Sequence, residues 1–151
     1  MGLRSVGSSP TFPIISGYNS DALLTNHVNI SISRKLLRTT VKASRRLLNL
    51  LKVLFEIGCI HHYIVFKRYY SKENFNMFVK FTILFYNNKS FFKSVRLITT
   101  ASRKYAISLH ALRILNSTLK SSILILSTSK GIITHKQAIK FKVSGLLLCV
   151  L

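Results

Sequence analysis

Between residues 76 and 86 the chain alternates without a break: Met77, Val79, Phe81, Ile83 and Phe85 are apolar at every second position, with Lys80 and Thr82 among the residues between them. A period of two gathers the first set on one face of an extended strand, whereas on a helix it would scatter them around the axis. The strand therefore needs an apolar layer to lie against, and the preceding sequence supplies one. Leu47, Leu50, Leu51 and Leu54 recur at helical spacing over residues 44–57, with Arg45, Arg46, Asn49, Lys52 and Glu56 on the other side. Ser44 stands where an N-cap is wanted and Gly58 where a left-handed stop is wanted. Residues 60–70 read as a second strand, joined to the first by the polar turn Ser71-Lys72-Glu73-Asn74. A helix laid across an antiparallel hairpin is an α+β unit.

The turn Asn87-Asn88-Lys89-Ser90 reads as a seam, because a strand-like stretch restarts at 93–99 beyond it. Ser108 is placed to cap a short helix through Asn116 that buries Leu109, Leu112 and Leu115. Residues 123–126 form an apolar strand, followed by the turn Ser127-Thr128-Ser129-Lys130-Gly131 and the apolar pair Ile132-Ile133. Thr134 with Gln137 three residues on is a capping box, which puts a helix over 135–143; Gly145 then turns the chain into a buried strand, 146–151. At the other end, residues 1–17 are rich in Gly, Ser and Pro with a single Arg, and read as a flexible extension rather than an Arg-rich transit peptide. Asn19 or Ser20 caps a short helix through about Ile30, with Asp21 in its first turn and Leu24 and Val28 facing inward, and a short strand follows over 36–41. The expected architecture is α+β: two small domains with mainly antiparallel sheets, 18–90 and 91–151, preceded by a flexible tail at 1–17.

Charge narrows what such a fold can do. Twenty-three Lys and Arg face only Asp21, Glu56 and Glu73, a formal charge of +20 that repels itself unless a polyanion neutralises it. Nucleic acid and an anionic membrane surface both qualify. No run of about 18 apolar residues is free of charge, so integral membrane association is not expected. Three acids, all in the first half, leave no carboxylate pair for acid and base catalysis and too few to hold two metal ions. Cys59 and Cys149 lie far apart in apolar surroundings, and His27, His61, His62, His110 and His135 have no cysteines or carboxylates at zinc-site spacing. In a regular strand His61 and His62 would also point to opposite faces. No enzyme activity, cofactor, metal or small-molecule substrate is expected. The bias toward Leu, Ile, Phe, Lys, Asn and Tyr, without Trp, suggests an AT-rich coding genome.

Three places suit an RNA partner. The 127–131 turn offers hydroxyls, amides and one ammonium between apolar strands, which fits phosphate oxygens and sugar hydroxyls, although its local chemistry alone reads better as a solvated hairpin. Arg103 and Lys104, beside Tyr105, combine charge with a ring that can stack on a base, or form a solvated loop with a core tyrosine. Ser44, Arg45 and Arg46 put guanidinium groups where helix-end amides point, or else decorate a solvated helix face.

Order and spacing add to this. The Ser-Thr-Ser-Lys-Gly turn, Thr134 opening a helix that holds Ala138, then Gly145 and an apolar strand with Cys149, resemble the terminal signature of the bacterial-type protein eight of the small ribosomal subunit. Shorter matches in register are Leu24-Thr25, Ser44-Arg45, Glu56 with Gly58-Cys59-Ile60, and Ser102-Arg103-Lys104 before Ser108. The resemblance runs from about Ser20 to the last residue. It implies two small α+β domains, binding to the central domain of small-subunit ribosomal RNA, and contact with neighbouring small-subunit proteins. It also implies that Ser127, Thr128, Ser129, Lys130 and Gly131 lie against an irregular paired RNA helix. Departures are visible: Ser144-Gly145-Leu146 stands where the family has Gly-Gly-Glu, and Asn26-His27-Val28-Asn29 where it has Arg-Ile-Arg-Asn.

The expected function is thus that of a structural constituent of the small subunit in mitochondrial translation, in the matrix, with a plastid or an AT-rich bacterium as other homes. The competing expectation is a peripheral basic protein on anionic lipid, which would call for segregated amphipathic helices instead of alternating strands.

Overall fold

The alternating segment is the middle strand of a three-stranded antiparallel sheet. The computed structural model describes residues 16–100 and 102–151, so the extension expected at 1–17 lies outside the described residues except for its last two. Helix α1 (Ser16–Ser33) leads to β1 (Arg38–Lys42), α2 (Arg45–Ile57), β2 (Ile60–Tyr69) and β3 (Phe75–Ile83), with the strands in the order β1-β3-β2. Val79, Phe81 and Ile83 of β3 are buried with Val41 of β1, and Leu47, Leu50, Leu51 and Leu54 of α2 join them in one cluster. Ser44 caps α2 by accepting from the Leu47 N–H at 3.2 Å, and Gly58 ends it at φ +90°. Both outcomes follow the sequence reading. Met77 is different: it shares the alternation but lies past the last β1 pairing, Lys42 with Phe78, and is exposed.

Helix α1 corrects two expectations. It begins at Ser16 and continues past Ile30 to Ser33, so Asp21 is not in the first turn and cannot serve the helix dipole. Asp21 is instead fully buried, beside Leu24 and Val28 on the inward stripe.

A tight hairpin follows, β4 (Phe85–Tyr86) and β5 (Lys89–Ser90), whose turn residues Asn87 and Asn88 both have positive φ. The stretch expected as a strand at 93–99 contributes only β6 (Arg96–Leu97). Then come β7 (Ala106–Ile107), α3 (Leu109–Thr118), β8 (Leu124–Thr128), β9 (Gly131–Thr134), α4 (His135–Phe141) and β10 (Gly145–Val150). The sheet runs β6-β10-β8-β9, with β7 also paired to β10, and every pairing is antiparallel. Ser108 caps α3 and Thr134 forms the capping box with Gln137, but of the three leucines expected inside α3 only Leu112 is fully covered. The fold is α+β with antiparallel sheets.

One hydrophobic cluster draws on both sides of residue 90: Val95, Ile125, Leu148 and Cys149 pack with Leu24, Leu47 and Phe81. A second gathers Leu112, Leu124, Leu126 and Ala138 beneath α3 and α4. The first is fastened by Asn29, whose Nδ2 donates to the Val95 carbonyl and whose Oδ1 accepts from the Val95 N–H, each at 2.8 Å. Only a side-chain amide offers a donor and an acceptor at that spacing. Asn29→Leu is expected to lower unfolding free energy by about 1–3 kcal/mol, because it strands both Val95 groups. Urea denaturation followed by circular dichroism reads this out, and an unshifted midpoint would mean that water replaces the amide without cost.

Candidate nucleic-acid interface

Strands β8 and β9 are joined by the shortest kind of hairpin: Thr128 pairs with Gly131, leaving Ser129 and Lys130 as the loop. Gly131 has φ +101°, which glycine adopts freely and other residues rarely do. The hydroxyls divide their labour. Thr128 Oγ1 donates to the Gly131 carbonyl at 3.0 Å and accepts from the Lys130 N–H at 3.2 Å, so it locks the loop. Ser127 Oγ and Ser129 Oγ have no hydrogen-bond partner among the described residues. The Lys130 ammonium lies 4.6 Å from the centroid of the Phe141 ring at the end of α4, which orients it without neutralising it.

The hairpin borders an open groove of about 520 Å³ whose floor is the start of β10. Ser127 pairs with Leu146 and Thr128 with Gly145, while Ala106 and Ile107 of β7 pair with the same two residues from the other side. Ser144 and Ser129 add hydroxyls at the rim, and no carboxylate lines the groove. Gly145 is needed for closeness, not for turning, contrary to the sequence expectation. A Cβ there would intrude on the Ser127 carbonyl oxygen and stand 2.8 Å from Thr128 Cγ2. The chain reversal belongs to Lys142, which caps α4 in the left-handed conformation at φ 55°.

The other candidate residues divide between two locations. Arg103 and Lys104 are exposed on the segment that enters β7, and the Tyr105 carbonyl accepts from the Leu147 N–H at 2.8 Å, so this basic stretch is held along the edge of the groove-bearing sheet. Tyr105 is itself exposed. Ser44 and Arg45 are not among the groove residues. They open α2, which packs against β9, and the Ser44 hydroxyl is occupied as the cap. Arg45 is exposed, but Arg46 is not a free phosphate ligand as expected: its Nε donates to Asp21 Oδ2 at 2.8 Å.

His135, the first residue of α4, was outside the candidate set. It is buried, and its Nδ1 accepts from the Leu124 N–H at 3.1 Å, tying the start of β8 to α4 and so bracing the hairpin. Burial pushes its pKa below the usual histidine value. The unfolded chain therefore takes up a proton below pH about 6.5 that the folded chain refuses, and this contribution to stability is lost as pH falls through that region. His135→Asn, which keeps an acceptor but no titration, is expected to flatten the fall in unfolding free energy between pH 7 and 5. Parallel curves for the two chains would show that other groups govern the acid limb.

Among the described residues no cluster of three metal-ligating side chains exists, and no helix is long and apolar enough to cross a membrane. The bulge between Ile60 and His62 overturns the expected divergence of the two histidines: their ring centroids lie 5.9 Å apart. Cys59 and Cys149 are free thiols that burial raises to a pKa of about 12 each, which suppresses thiolate chemistry.

Residues 20–151 match the family described as Ribosomal protein S8. The chain belongs to that family. It is 29% identical over 127 residues to the small ribosomal subunit protein uS8m of Acanthamoeba castellanii, a match covering 82% of this chain and 94% of the relative. Its identity to the small ribosomal subunit protein uS8 of Orientia tsutsugamushi (strain Boryong) is also 29% over 127 residues, covering 84% and 91% respectively. As a member of that family the chain has a structural role in the small ribosomal subunit. Ser144 precedes the strand that floors the groove and Gly145-Leu146 begin it, so hydroxyl and apolar surface stand where the sequence resemblance pointed to a lost carboxylate. Among the parts of the groove that sequence reasoning missed are Ala106 and Ile107. Only strand register brings them to the turn, and no local motif marks them.

Proposed function

We propose that this chain binds the central domain of small-subunit ribosomal RNA through the 127–131 hairpin, supports its assembly, and serves a mitochondrial ribosome. One observation carries the reading: Ser127 and Ser129 present unpartnered hydroxyls on a locked hairpin beside an acid-free groove, in an S8-family chain of charge +20. Preset hydroxyls and amides fit the shape and 2′-hydroxyls of a paired RNA helix, and Lys130 with Arg103 and Lys104 supplies phosphate contacts. Arg45, exposed at the start of α2, adds a further cation on an element packed against β9. Nothing in the chemistry calls for a cofactor or a reacting substrate, and neighbouring small-subunit proteins are its protein partners. The mitochondrial setting draws on the residue bias, which suggests an AT-rich coding genome, and on the name of the amoebal relative.

Full-length protein titrated with a central-domain ribosomal RNA fragment tests this. Ser127→Ala with Ser129→Ala is expected to weaken binding roughly tenfold to a hundredfold, from two lost hydrogen bonds, with the salt dependence unchanged. Lys130→Gln is expected instead to lower the slope of log affinity against log salt by about one unit, for one lost phosphate contact. Equal and small effects at all three positions would reduce the turn to a solvated hairpin.

A further inference from the structure

The three-stranded sheet has two faces, and the helices cover only one. Strand register lays out the other in rows: Arg38, Thr82 and His62; then Thr40, Lys80 and Ile64; then Lys42, Phe78 and Phe66; then Asn76 and Arg68. Arg38, Lys42, Arg68 and Lys80 are exposed, as is Ile64. At the centre the Phe66 and Phe78 rings are stacked, with centroids 6.0 Å apart and planes 22° from parallel. The Arg68 guanidinium carbon lies 5.3 Å from the Phe78 centroid. No carboxylate belongs to this face: Asp21 is in the core, Glu56 is on α2, and Glu73 is in the turn after β2.

We propose that this open face is a second RNA-contact surface, separate from the hairpin, that takes unpaired nucleotides. Bases stack on the Phe66 and Phe78 rings, and the phosphates run along Arg38, Lys42, Lys80 and Arg68. Charge complementarity selects the occupant. Four cations without an acid suit a polyanion, and they are interleaved with rings across the face instead of bordering an apolar wedge, as an inserting membrane surface would require. Rings on an antiparallel sheet are also a geometry in which splayed bases stack without sequence preference, because every base has a π face. The proposal rests on the reading of the chain as an RNA-binding protein, but not on the hairpin.

The experiment uses full-length protein and a fluorescent twelve-nucleotide oligouridylate. Phe66→Leu with Phe78→Leu keeps apolar volume and is expected to lower affinity about tenfold for each stack lost. Arg68→Gln with Lys80→Gln, both exposed and outside the core, is expected to reduce the salt slope by about 0.7 for each phosphate contact removed. Ser127→Ala with Ser129→Ala leaves oligouridylate affinity unchanged, and ultraviolet crosslinks map to peptides of β1, β2 and β3. Unchanged affinity in both sheet variants overturns the proposal, as do crosslinks confined to 127–131. So does selective loss of binding to phosphatidylserine vesicles in the sheet variants, which would make the face a lipid surface. Failure of the hairpin reading shows separately, as an unaltered affinity of the serine variant for the structured ribosomal RNA fragment.

Discussion

Gly145→Val is expected to disable the hairpin and to weaken the whole second sheet. Strand β10 lies between β8 on one side and β6 and β7 on the other, so its backbone cannot move away from one neighbour without breaking a ladder with another. The hydrogen at Gly145 faces the Ser127 backbone: any Cβ would press on the carbonyl oxygen and lie 3.0 Å from the carbonyl carbon. A flexible side chain could swing aside, but a paired backbone cannot. Overpacking of this kind costs about 1–3 kcal/mol and sometimes more. The strain falls on the residue whose hydroxyl the RNA reading needs, so RNA affinity should drop with stability in Gly145→Val and measurably in Gly145→Ala. Gly131→Ala is the contrasting variant. A Cβ there meets open space, and the cost is confined to the positive φ, about 1–2 kcal/mol for a non-glycine residue in that region. Urea midpoints and filter binding on the three chains check this. A Gly145→Ala chain with the parent's midpoint and RNA affinity would show that the sheet yields at that position.

The contrast between the two glycines also marks where sequence reasoning stopped. Elements were legible wherever one face needed covering: the alternation into β3, the leucine stripe of α2 and the Thr134-Gln137 capping box each state a local requirement, and each is met. Helix ends with a local chemical signature, at Ser44, Gly58 and Ser108, were equally legible. What stayed hidden depends on partners distant in sequence. Gly145 looks like a turn glycine until register sets it against Thr128 and Ile107. Asn29 is one polar residue among several until Val95 is brought to it. Within the site, the hairpin was legible through composition and order, while the division between the locking hydroxyl of Thr128 and the open hydroxyls of Ser127 and Ser129 was not. His135 reads as an ordinary helix-opening residue because the amide it accepts from belongs to another element.

The largest departure from the sequence reading is also the largest stability lever. Asp21 is fully buried, its Oδ2 held by Arg46 Nε at 2.8 Å and its Oδ1 without a hydrogen-bond partner among the described residues. Burial raises its pKa above the ordinary carboxylate value, and the hydrogen bond and charge of Arg46 oppose that rise. Its charge also adds to the burial that raises the thiol of Cys149, a β10 residue in the same cluster as Leu24 of α1. Replacing Arg46 with Met leaves that charge buried without its guanidinium, which typically costs about 3–5 kcal/mol, with the partial exposure of Arg46 favouring the lower end. The pH dependence has a definite sign. A carboxyl whose folded pKa lies above its unfolded value contributes fully below the unfolded value, and that contribution is lost as pH rises through the folded one. Arg46→Met raises the folded value further. The gap in unfolding free energy between variant and parent should therefore be widest near neutrality and close as the solution is acidified. Asp21→Asn combined with Arg46→Met removes the stranded charge and should recover most of the loss at pH 7. A gap that stays constant with pH, or a double variant no more stable than Arg46→Met alone, would mean that the guanidinium matters through its packed stem and not through its charge.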